Sequence, residues 1–410
     1  MANLFISFLG TGDYKPCSYR YGNQKIKIEN VDFVQETIVS LFCSDWQEKD
    51  RILIFYTKKS KEKNWEKLNI KLKSLNMKPS IEGILISDGK SEEEIWEIFS
   101  TIFDKINNND NIICDITHSF RSIPLLGIAV INYAQVLKDA SLKGVYYGAF
   151  DASETSTKPI FDLTPYSSIM NWSFATSEFI KRGETGALVE LMKIDAKTKD
   201  IESNKTAQRL NKISKKLDKM SLAIKLNRGK QIVEKISNLN DEISFIQKDK
   251  SFSYLNALLD KIKQKTKDFK INNVENCIVA AQWCYEHDLI PQCITILQEG
   301  IITYICGILS LDYHIEKDRE LISQSLAVIN KIPEEKWNPP LKENPEIAEK
   351  VNNVLNENII KEYRSLGALR NDVNHCGFLK NATRAEIIQN KAGEFLDIVK
   401  NFFNQMEEKK

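Results

Sequence analysis

The amino-acid sequence predicts an α/β unit followed by an all-α remainder. Over about the first 165 residues, short apolar runs alternate with longer amphipathic runs, which is typical of a parallel sheet with crossover helices. After Tyr166 the strand-like runs stop, and apolar residues recur at three- and four-residue steps. The length of 410 residues also exceeds one typical domain, so we expect two or three units, each with its own core.

The strands of the α/β unit are predicted from short apolar runs bounded by polar residues. Five such runs are Leu4–Leu9, Arg51–Tyr56, Ile81–Ile86, Asn111–Asp115 and Leu142–Tyr147. Three helices are predicted between them, over Val31–Cys43, Glu92–Ile106 and Ser122–Leu137. Ser91 is the expected N-cap of the second helix, and Pro124 is tolerated in the first turn of the third. This order of elements predicts a Rossmann-like unit.

The all-α remainder contains two strongly apolar stretches near its end. Cys277–Cys284 and Cys293–Leu309 are predicted to form buried helices. Prolines at positions 333, 339, 340 and 345 predict a loop before a further helix, Glu362–Val373. Gly377 lies where a C′ glycine would end that helix, just after His375.

The overall charge excludes a general nucleic-acid coat or a membrane-binding surface. Lys and Arg number 57 against 56 Asp and Glu, so any RNA contact must come from a local patch. One such patch spans residues 193–230, with twelve basic against four acidic residues. It is either the solvated face of a helix or a surface that guides RNA.

The cysteine pattern indicates a reducing compartment. None of the eight cysteines forms a C-x-x-C pair, and most lie in apolar stretches, so we expect reduced, buried side chains. The N-terminus has no basic region ahead of its short apolar run, and no window approaches the apolar length of a membrane helix. We therefore expect a soluble, cytoplasmic protein with no membrane partner.

The segment from Arg370 to His375 predicts a catalytic centre for RNA cleavage. RNA supplies its own nucleophile, the 2′-hydroxyl, so an enzyme must remove that proton, stabilise the phosphorane and protonate the leaving oxygen. His375 suits the acid/base role, Arg370 suits the phosphorane, and Asn371 can orient either of them. No metal is needed, and the four histidines show no zinc-type spacing. Alternatively, Arg370 and His375 merely cap a helix end.

The same segment predicts a dimer. On an ideal helix Arg370 and His375 point roughly 140° apart, so one copy brings them together poorly. A two-fold contact between two such helices would place both sets of side chains in one cleft. We therefore expect a composite site built by two chains.

Two loops of the α/β unit predict an anion site. In open α/β sheets, ligands bind beyond the carboxyl ends of the strands, and two predicted strands end in suitable loops. Gly10, Thr11 and Gly12 follow the first strand, with Lys15 and Arg20 able to add charge. The other loop offers backbone N–H groups and polar side chains at a helix start, through Asp115, Thr117, His118, Ser119, Phe120 and Arg121. Alternatively, the first loop is an ordinary turn and Asp115 a helix cap.

These motifs resemble CRISPR-associated proteins of type III systems that join a CARF sensor domain to a HEPN ribonuclease domain. Three features of the N-terminal part carry the resemblance: the opening Ile6–Cys17, the Asp-x-Thr-His-Ser loop at 115–119, and residues 147–150 with 162–165. Arg370, Asn371 and His375 carry it at the other end. The expected domains are a CARF domain at 1–168, a helical linker at 169–271 and a HEPN domain at 272–410.

The resemblance implies a ribonuclease that a nucleotide signal activates. Cyclic oligoadenylate, with cyclic tetra-adenylate expected first and cyclic hexa-adenylate second, would bind across the two-fold axis of a homodimer, against the loops at 10–12 and 117–119. Assembly of the homodimer into a higher oligomer is a further implication. Binding would then switch on cleavage of single-stranded RNA, with no catalytic cofactor. Ser119 stands where the family often has glycine, and slow cleavage of the ring by Thr117 or His118 is a further implication.

Besides a general nucleotide-dependent enzyme of the Rossmann type, two other interpretations remain open from the sequence. A non-catalytic CARF regulator would bind the same ring and use the basic segment on nucleic acid, although no helix-turn-helix is evident. A HEPN module without nuclease activity would bind a partner instead, although Arg370, Asn371 and His375 are all present. Cleavage in the presence of the ring distinguishes both from the ribonuclease.

Overall fold

The computed structural model describes residues 1–24, 28–118, 123–198, 205–235, 238–270, 273–378 and 380–407. The chain divides into two compact units, Met1–Met170 and Asn171–Lys410. We call them the α/β unit and the helical unit.

The α/β unit is built on one seven-stranded sheet. The strands are β1 Asn3–Leu9, β2 Ser18–Tyr21, β3 Arg51–Tyr56, β4 Ser80–Leu85, β5 Asn111–Asp115, β6 Ser141–Gly148 and β7 Thr157–Asp162. They lie in the order β2-β7-β6-β5-β1-β3-β4, and every pair is parallel except β6 with β7. All five predicted strands are confirmed. Strands β2 and β7 were not predicted, because β2 is short and polar and Pro159 interrupts the pattern of β7.

Helices cover both faces of this sheet. They are α1 Val34–Phe42, α2 Lys58–Ser60, α3 Glu66–Ser74, α4 Glu92–Lys105 and α5 Ile123–Leu137, with a π-helical turn Lys61–Trp65 between α2 and α3. Alternate residues of β1 pack into two separate apolar cores, one on each face of the sheet. Phe5 and Leu9 belong to one core, and Leu4, Ile6 and Phe8 belong to the other. The predicted helices are present. The Ser91 side chain accepts the Glu94 N–H at 3.3 Å, as expected of an N-cap.

The strand order leaves a crevice at the carboxyl ends of β1 and β5. From β1 the chain winds outward through β3 to β4, and then returns to the other side of β1 to form β5 and β6. The connections after β1 and β5 therefore leave in opposite directions. Such a switch point is where ligands bind in open α/β sheets.

The helical unit has one apolar core. Its helices, counted from the one that enters it, are α6 Thr164–Arg182, α7 Gly186–Thr198, α8 Lys205–Lys225, α9 Gly229–Lys235, α10 Leu239–Ile246, α11 Asn256–Thr266, α12 Asn276–Glu286, α13 Ile290–Ile308, α14 Glu316–Val328, α15 Pro345–Val354, α16 Glu357–Asn374 and α17 Ala385–Glu407. The core runs without a break from Trp172 to Phe403. The predicted buried helices correspond to α12 and α13. The division into a linker at 169–271 and a domain at 272–410 stays a prediction, since both stretches contribute to this core.

The basic segment 193–230 lies mostly on α8, which is amphipathic. Leu210, Ile213 and Leu217 of α8 are fully buried, whereas Lys212 and Lys215 are exposed on its other side. The periodicity of the helix therefore explains most of the basic residues as a solvated face. Lys199 lies outside the described residues.

The cysteines follow the prediction with one exception. Seven are buried and free, and burial raises the pKa of several thiols, for example that of Cys277 to about 11. Cys376 is exposed instead, because it follows the end of α16 in a left-handed conformation with φ 54°. Among the described residues, no helix combines the length and apolar character needed to cross a membrane.

We expect the core of the α/β unit to respond sharply to loss of volume. Ile38 of α1 is fully buried, and Ile38→Ala should lower the free energy of unfolding by about 2–5 kcal/mol through lost burial and a residual cavity. Ile70→Ala on α3 is the matched control, since Ile70 is 62% exposed and should cost no more than about 0.5 kcal/mol. Urea denaturation followed by circular dichroism compares the two variants. Equal losses would contradict the assigned core.

Candidate functional site

A cavity of about 430 Å³ occupies the crevice at the carboxyl ends of the strands. Six predicted residues line it: Gly10, Thr11, Gly12, Lys15, Thr117 and His118. The sequence did not single out Tyr14, Tyr19, Asp32, Tyr56, Thr57 and Phe150, which also line it. Arg20 lies exposed on β2 and is not among the lining residues. Ser119, Phe120 and Arg121 lie outside the described residues.

Side chains of the π-helical turn Lys61–Trp65 hold the loop at Gly10–Gly12 in place. Asn64 Nδ2 donates to the carbonyl oxygens of Gly10 and Gly12, at 3.0 and 3.1 Å. Lys63 Nζ donates to the Thr11 carbonyl at 3.0 Å and pairs with Asp13 at 2.7 Å. The loop carbonyls are thereby used within the protein, and the small residues of the fixed loop line the cavity.

Gly10 is required by a close contact with an aromatic side chain. A Cβ atom at Gly10 would lie 3.0 Å from Tyr14 Oη, which already accepts the Gly10 N–H at 3.0 Å. Burial raises the pKa of Tyr14 to about 12, so its hydroxyl keeps a proton that it can donate. Tyr14 is therefore both a wall of the cavity and a hydrogen-bond donor within it.

Asp115 lies beneath the cavity and does not line it. Its carboxylate is fully buried and accepts hydrogen bonds from Ser7 Oγ at 2.7 Å, Thr117 N at 2.9 Å and Thr117 Oγ1 at 2.5 Å. Burial raises the pKa of Asp115 above its ordinary value, although these three donors oppose the rise. The sequence predicted Asp115 as a ligand contact. The structure instead gives it a positioning role, because its oxygens are occupied by protein donors.

Thr117 links β5 to β6 through its hydroxyl. The hydroxyl donates to Asp115 and accepts the Gly148 N–H at 2.8 Å. Its only proton is therefore committed to a buried carboxylate, which leaves Thr117 poorly suited as a nucleophile. What it offers the cavity is chiefly its methyl group and backbone.

His118 faces the cavity as a neutral side chain. Burial lowers the pKa of His118 to about 4, so the imidazole carries no charge at neutral pH. Its ring packs edge-on against Tyr14, with ring centroids 4.6 Å apart. The Nε2 atom is buried and, within the described part of the chain, has no hydrogen-bond partner. His118 can therefore exchange a hydrogen bond with a ligand, but it is not a cation for phosphate.

Arg370 lies in a second cavity, in the helical unit, of about 580 Å³. Its Nη1 atom donates to Gln298 Oε1 and to Glu299 Oε1 of α13, both at 3.1 Å. Gly367 lies one turn earlier on α16, and a Cβ atom there would lie 3.1 Å from Gln298 Nε2. The glycine that weakens the predicted helix thus gives Gln298 the space to reach Arg370.

The other motif residues lie at the end of α16. His375 is the C-cap residue, and both it and Asn371 are exposed. Neither lines the cavity that holds Arg370, so a single chain does not bring all three side chains into one cavity. The predicted C′ glycine was placed one residue late, because Cys376 takes the first left-handed position and Gly377 follows at φ 71°.

The carboxylate of Asp372 is engaged in a structural contact. Its Oδ2 atom accepts the Thr383 N–H at 2.7 Å, and hydrogen bonds from Thr383 hold the pKa of Asp372 below its ordinary value. The contact ties the end of α16 to the segment before α17.

Within the described ranges, no group of three or more histidine, cysteine or acidic side chains could hold a metal ion. Metal-free chemistry stays a prediction.

Comparison with known proteins matches two stretches of the chain. Residues 4–151 match a family described as the CARF domain of CRISPR system endoribonuclease Csx1, and residues 168–273 match the second domain of CRISPR-associated protein MJ1674. CRISPR-associated protein MJ1674 of Methanocaldococcus jannaschii is 28% identical over 242 residues. This similarity spans 58% of the present chain but only 36% of that curated relative. Helices α12 to α17 lie outside both family matches.

We expect the hydroxyl of Thr117 to be needed for folding of the site. Thr117→Val keeps the shape but removes a donor to Asp115 and an acceptor for Gly148, so it should cost about 1–3 kcal/mol of stability. Thr117→Ser retains the hydroxyl and should cost less than half as much. Urea denaturation of both variants checks this, and a larger cost for Thr117→Ser than for Thr117→Val would show that the methyl group matters more than the hydroxyl.

We also expect His118 to make stability depend on pH. Its pKa in the folded chain, about 4, lies below the ordinary value of 6.5, so the unfolded chain binds more protons between these pH values. Stability is therefore full above pH 6.5 and falls as the pH drops toward 4, by about 2 kcal/mol at pH 5. Urea denaturation gives the free energy of unfolding of the wild type and of His118→Gln at pH 7 and at pH 5. The amount by which the wild type exceeds the variant should be about 2 kcal/mol smaller at pH 5 than at pH 7. The same comparison with His314→Gln, which removes an exposed imidazole, is the control.

Proposed function

We propose, on the premise that this chain is a CARF-containing protein of type III CRISPR systems, that it is a metal-independent endoribonuclease activated by cyclic oligoadenylate. The observation that carries the proposal is the arrangement at the end of α16. Arg370 is held in place by Gln298 and Glu299, while Asn371 and His375 remain exposed for contact with substrate and with a second chain. An arginine that served only to cap the end of α16 would not need these contacts to α13.

The strand-end cavity supports the binding of a cyclic oligoadenylate. The Gly10–Gly12 loop allows close approach of phosphates to the backbone, and Lys15 adds a positive charge. The neutral His118 and the protonated Tyr14 suit hydrogen bonding to uncharged atoms of adenosine. A ring with internal symmetry can contact two identical cavities across a two-fold axis. Cyclic tetra-adenylate is the expected ring, with cyclic hexa-adenylate second.

An exposed apolar surface supports a homodimer of the α/β unit. Leu125, Tyr133, Val136 and Leu137 of α5 are between 48% and 78% exposed, which is a large apolar area to leave in water. Packing two copies of α5 against each other would bury these side chains in an isologous contact. This dimer would place two strand-end cavities under one ring.

The cleavage chemistry follows from the positions of the three motif residues. His375 of one chain would take the proton of the RNA 2′-hydroxyl, whose oxygen then attacks the adjacent phosphorus. Arg370 would stabilise the charge of the phosphorane, and a histidine would protonate the departing 5′-oxygen. The products are a 2′,3′-cyclic phosphate and a 5′-hydroxyl. Because Arg370 and His375 do not share a cavity within one chain, the second chain would complete the site.

Activation requires that the ring favour one arrangement of the dimer over another. A ligand shifts such an equilibrium only by its difference in affinity for the two states. A ring that contacts both protomers binds best when they are correctly apposed, and it would thereby favour the nuclease-competent pairing of α16.

The deciding experiment is cleavage of a fluorogenic single-stranded RNA in EDTA, without a ring and with cyclic tri-, tetra- or hexa-adenylate. We expect one ring to activate cleavage, and His375→Ala to lower the activated rate by about 10²–10⁴-fold through loss of the acid/base. Asn374→Ala changes an exposed neighbour that is none of the three proposed catalytic residues, and it should keep the rate within about twofold. Formation of the cyclic phosphate is checked on the cleaved ends.

Ring binding without any cleavage would contradict the ribonuclease proposal. Such a result, confirmed by calorimetry with the same rings, would favour the non-catalytic regulator. Cleavage that persists in the His375→Ala variant would instead place the chemistry elsewhere in the chain.

A further inference from the structure

The cavity that holds Arg370 is mainly basic. We call it the basic cleft. Its walls come from the turn between α8 and α9, from α13, from the start of α14 and from α16. The charged side chains that line it are Arg228, Lys230, Arg319 and Arg370, with Glu299 as the only carboxylate among the described lining residues.

Glu299 cannot neutralise this set of cations. Its Oε1 atom pairs with Arg370 at 3.1 Å and its Oε2 atom pairs with Arg319 at 2.6 Å. Four cations and one carboxylate leave a surplus of three positive charges, in a chain whose net charge is +1. Arg228 and Lys230 are exposed, and a concave surface that gathers charges of one sign attracts a ligand of the opposite sign, here an anion.

The two cations from the α8–α9 turn are the least compensated. Of the residues that the structure describes, none pairs with the Arg228 guanidinium. Lys230 lies 3.9 Å from Glu234 in an exposed pair, which contributes little. The turn holds its shape through the Arg228 N–H, which donates to the Ala223 carbonyl at 2.8 Å. Both side chains are therefore available on a defined backbone.

Arg319, in contrast, is held before any ligand arrives. Besides Glu299, it donates to Thr303 Oγ1 at 2.8 Å and more weakly to the Tyr313 carbonyl at 3.4 Å. A cation already fixed in this way loses little conformational entropy when it binds a phosphate.

An aromatic pair forms another part of the wall. The rings of Tyr313 and His314 lie with centroids 4.3 Å apart, and both residues line the cleft. Sites for single-stranded nucleic acid combine basic side chains, which contact phosphates, with aromatic rings on which bases stack. The basic cleft contains both.

We propose that the basic cleft binds single-stranded RNA next to the cleavage point, and that the α8–α9 turn is part of this substrate site. Arg228, Lys230 and Arg319 contact phosphates, while Tyr313 and His314 stack against a base. The strand then passes Arg370, which presents the scissile phosphate to the composite site. This proposal rests on the proposed ribonuclease function and names the residues that hold its substrate.

Binding of an uncleavable RNA tests the proposal. The probe is a fluorescein-labelled single strand with 2′-O-methyl groups on every ribose, and its Kd is measured by anisotropy on the full chain in EDTA. The Arg228→Ala/Lys230→Ala double variant should weaken binding by about tenfold and lower the salt slope of log Kd by about 1.4, as expected for two lost phosphate contacts. The double variant Arg228→Lys/Lys230→Arg retains both charges and should restore most of the affinity.

The matched control is Lys215→Ala/Lys219→Ala, which removes the same number of charges from the exposed side of α8. We expect this control to change Kd by less than about twofold. Circular dichroism establishes that each variant is folded. Equal losses in the control and in the turn variant, or no loss in either, would overturn the proposal.

The two proposals fail in different ways. Because the RNA probe cannot be cleaved, weakened binding by the turn variant supports the basic cleft even if the chain proves to have no nuclease activity. If ring-activated cleavage is confirmed but the turn variant keeps the wild-type Kd and KM, the ribonuclease stands and the basic cleft does not bind its substrate.

Discussion

The buried carboxylate of Asp115 is the constraint on which the strand-end site depends. Through Ser7 it is tied to β1, and through Thr117 to the Gly148 N–H of β6, so one side chain joins the ends of three neighbouring strands. Gln35 extends the network, with its Nε2 atom 3.3 Å from Ser7 Oγ. In a low-dielectric interior, the hydrogen bonds of such a network strengthen one another. The loops that surround the cavity therefore start from fixed points.

The two candidate sites handle charge in opposite ways. In the strand-end cavity His118 is neutral, and the positive charge of Lys15 is accompanied by the carboxylates of Asp13 and Asp32 among the described lining residues. A ligand there would meet no surplus of positive charge, so backbone groups and neutral side chains would supply much of its recognition. In the basic cleft, Arg319 and Arg370 share one carboxylate and keep a positive surplus. Binding there should depend strongly on ionic strength, whereas binding at the strand ends should depend on it much less.

Much of the fold could be predicted because burial leaves a clear pattern. Strands such as β1 and β3 are covered on both faces and read as continuous apolar runs. Strand β2 is the short edge strand and β7 lies next to it with Pro159 in its middle, so neither forms a continuous apolar run that the same rule could find. The lysine-rich α3 was missed for a similar reason, since only Leu68 and Leu72 of that helix are buried.

The sequence predicted those parts of the site that directly follow a strand in the chain, and it did not predict residues that reach the site from distant positions. Loops after β1 and β5 could be identified because parallel strands end at a common edge. The supporting residues could not, since Asn64 reaches Gly10 across 54 positions and Glu299 reaches Arg370 across 71. Asp115 was assigned to the ligand because its sequence position cannot reveal that Ser7 and Thr117 already occupy it.

The continuous apolar core of the helical unit limits how parts of this unit can be exchanged by recombination. Because residues from Trp172 to Phe403 pack together, recombination that exchanged only the last helices would leave half of a core without its complement. The helical unit should therefore be inherited whole.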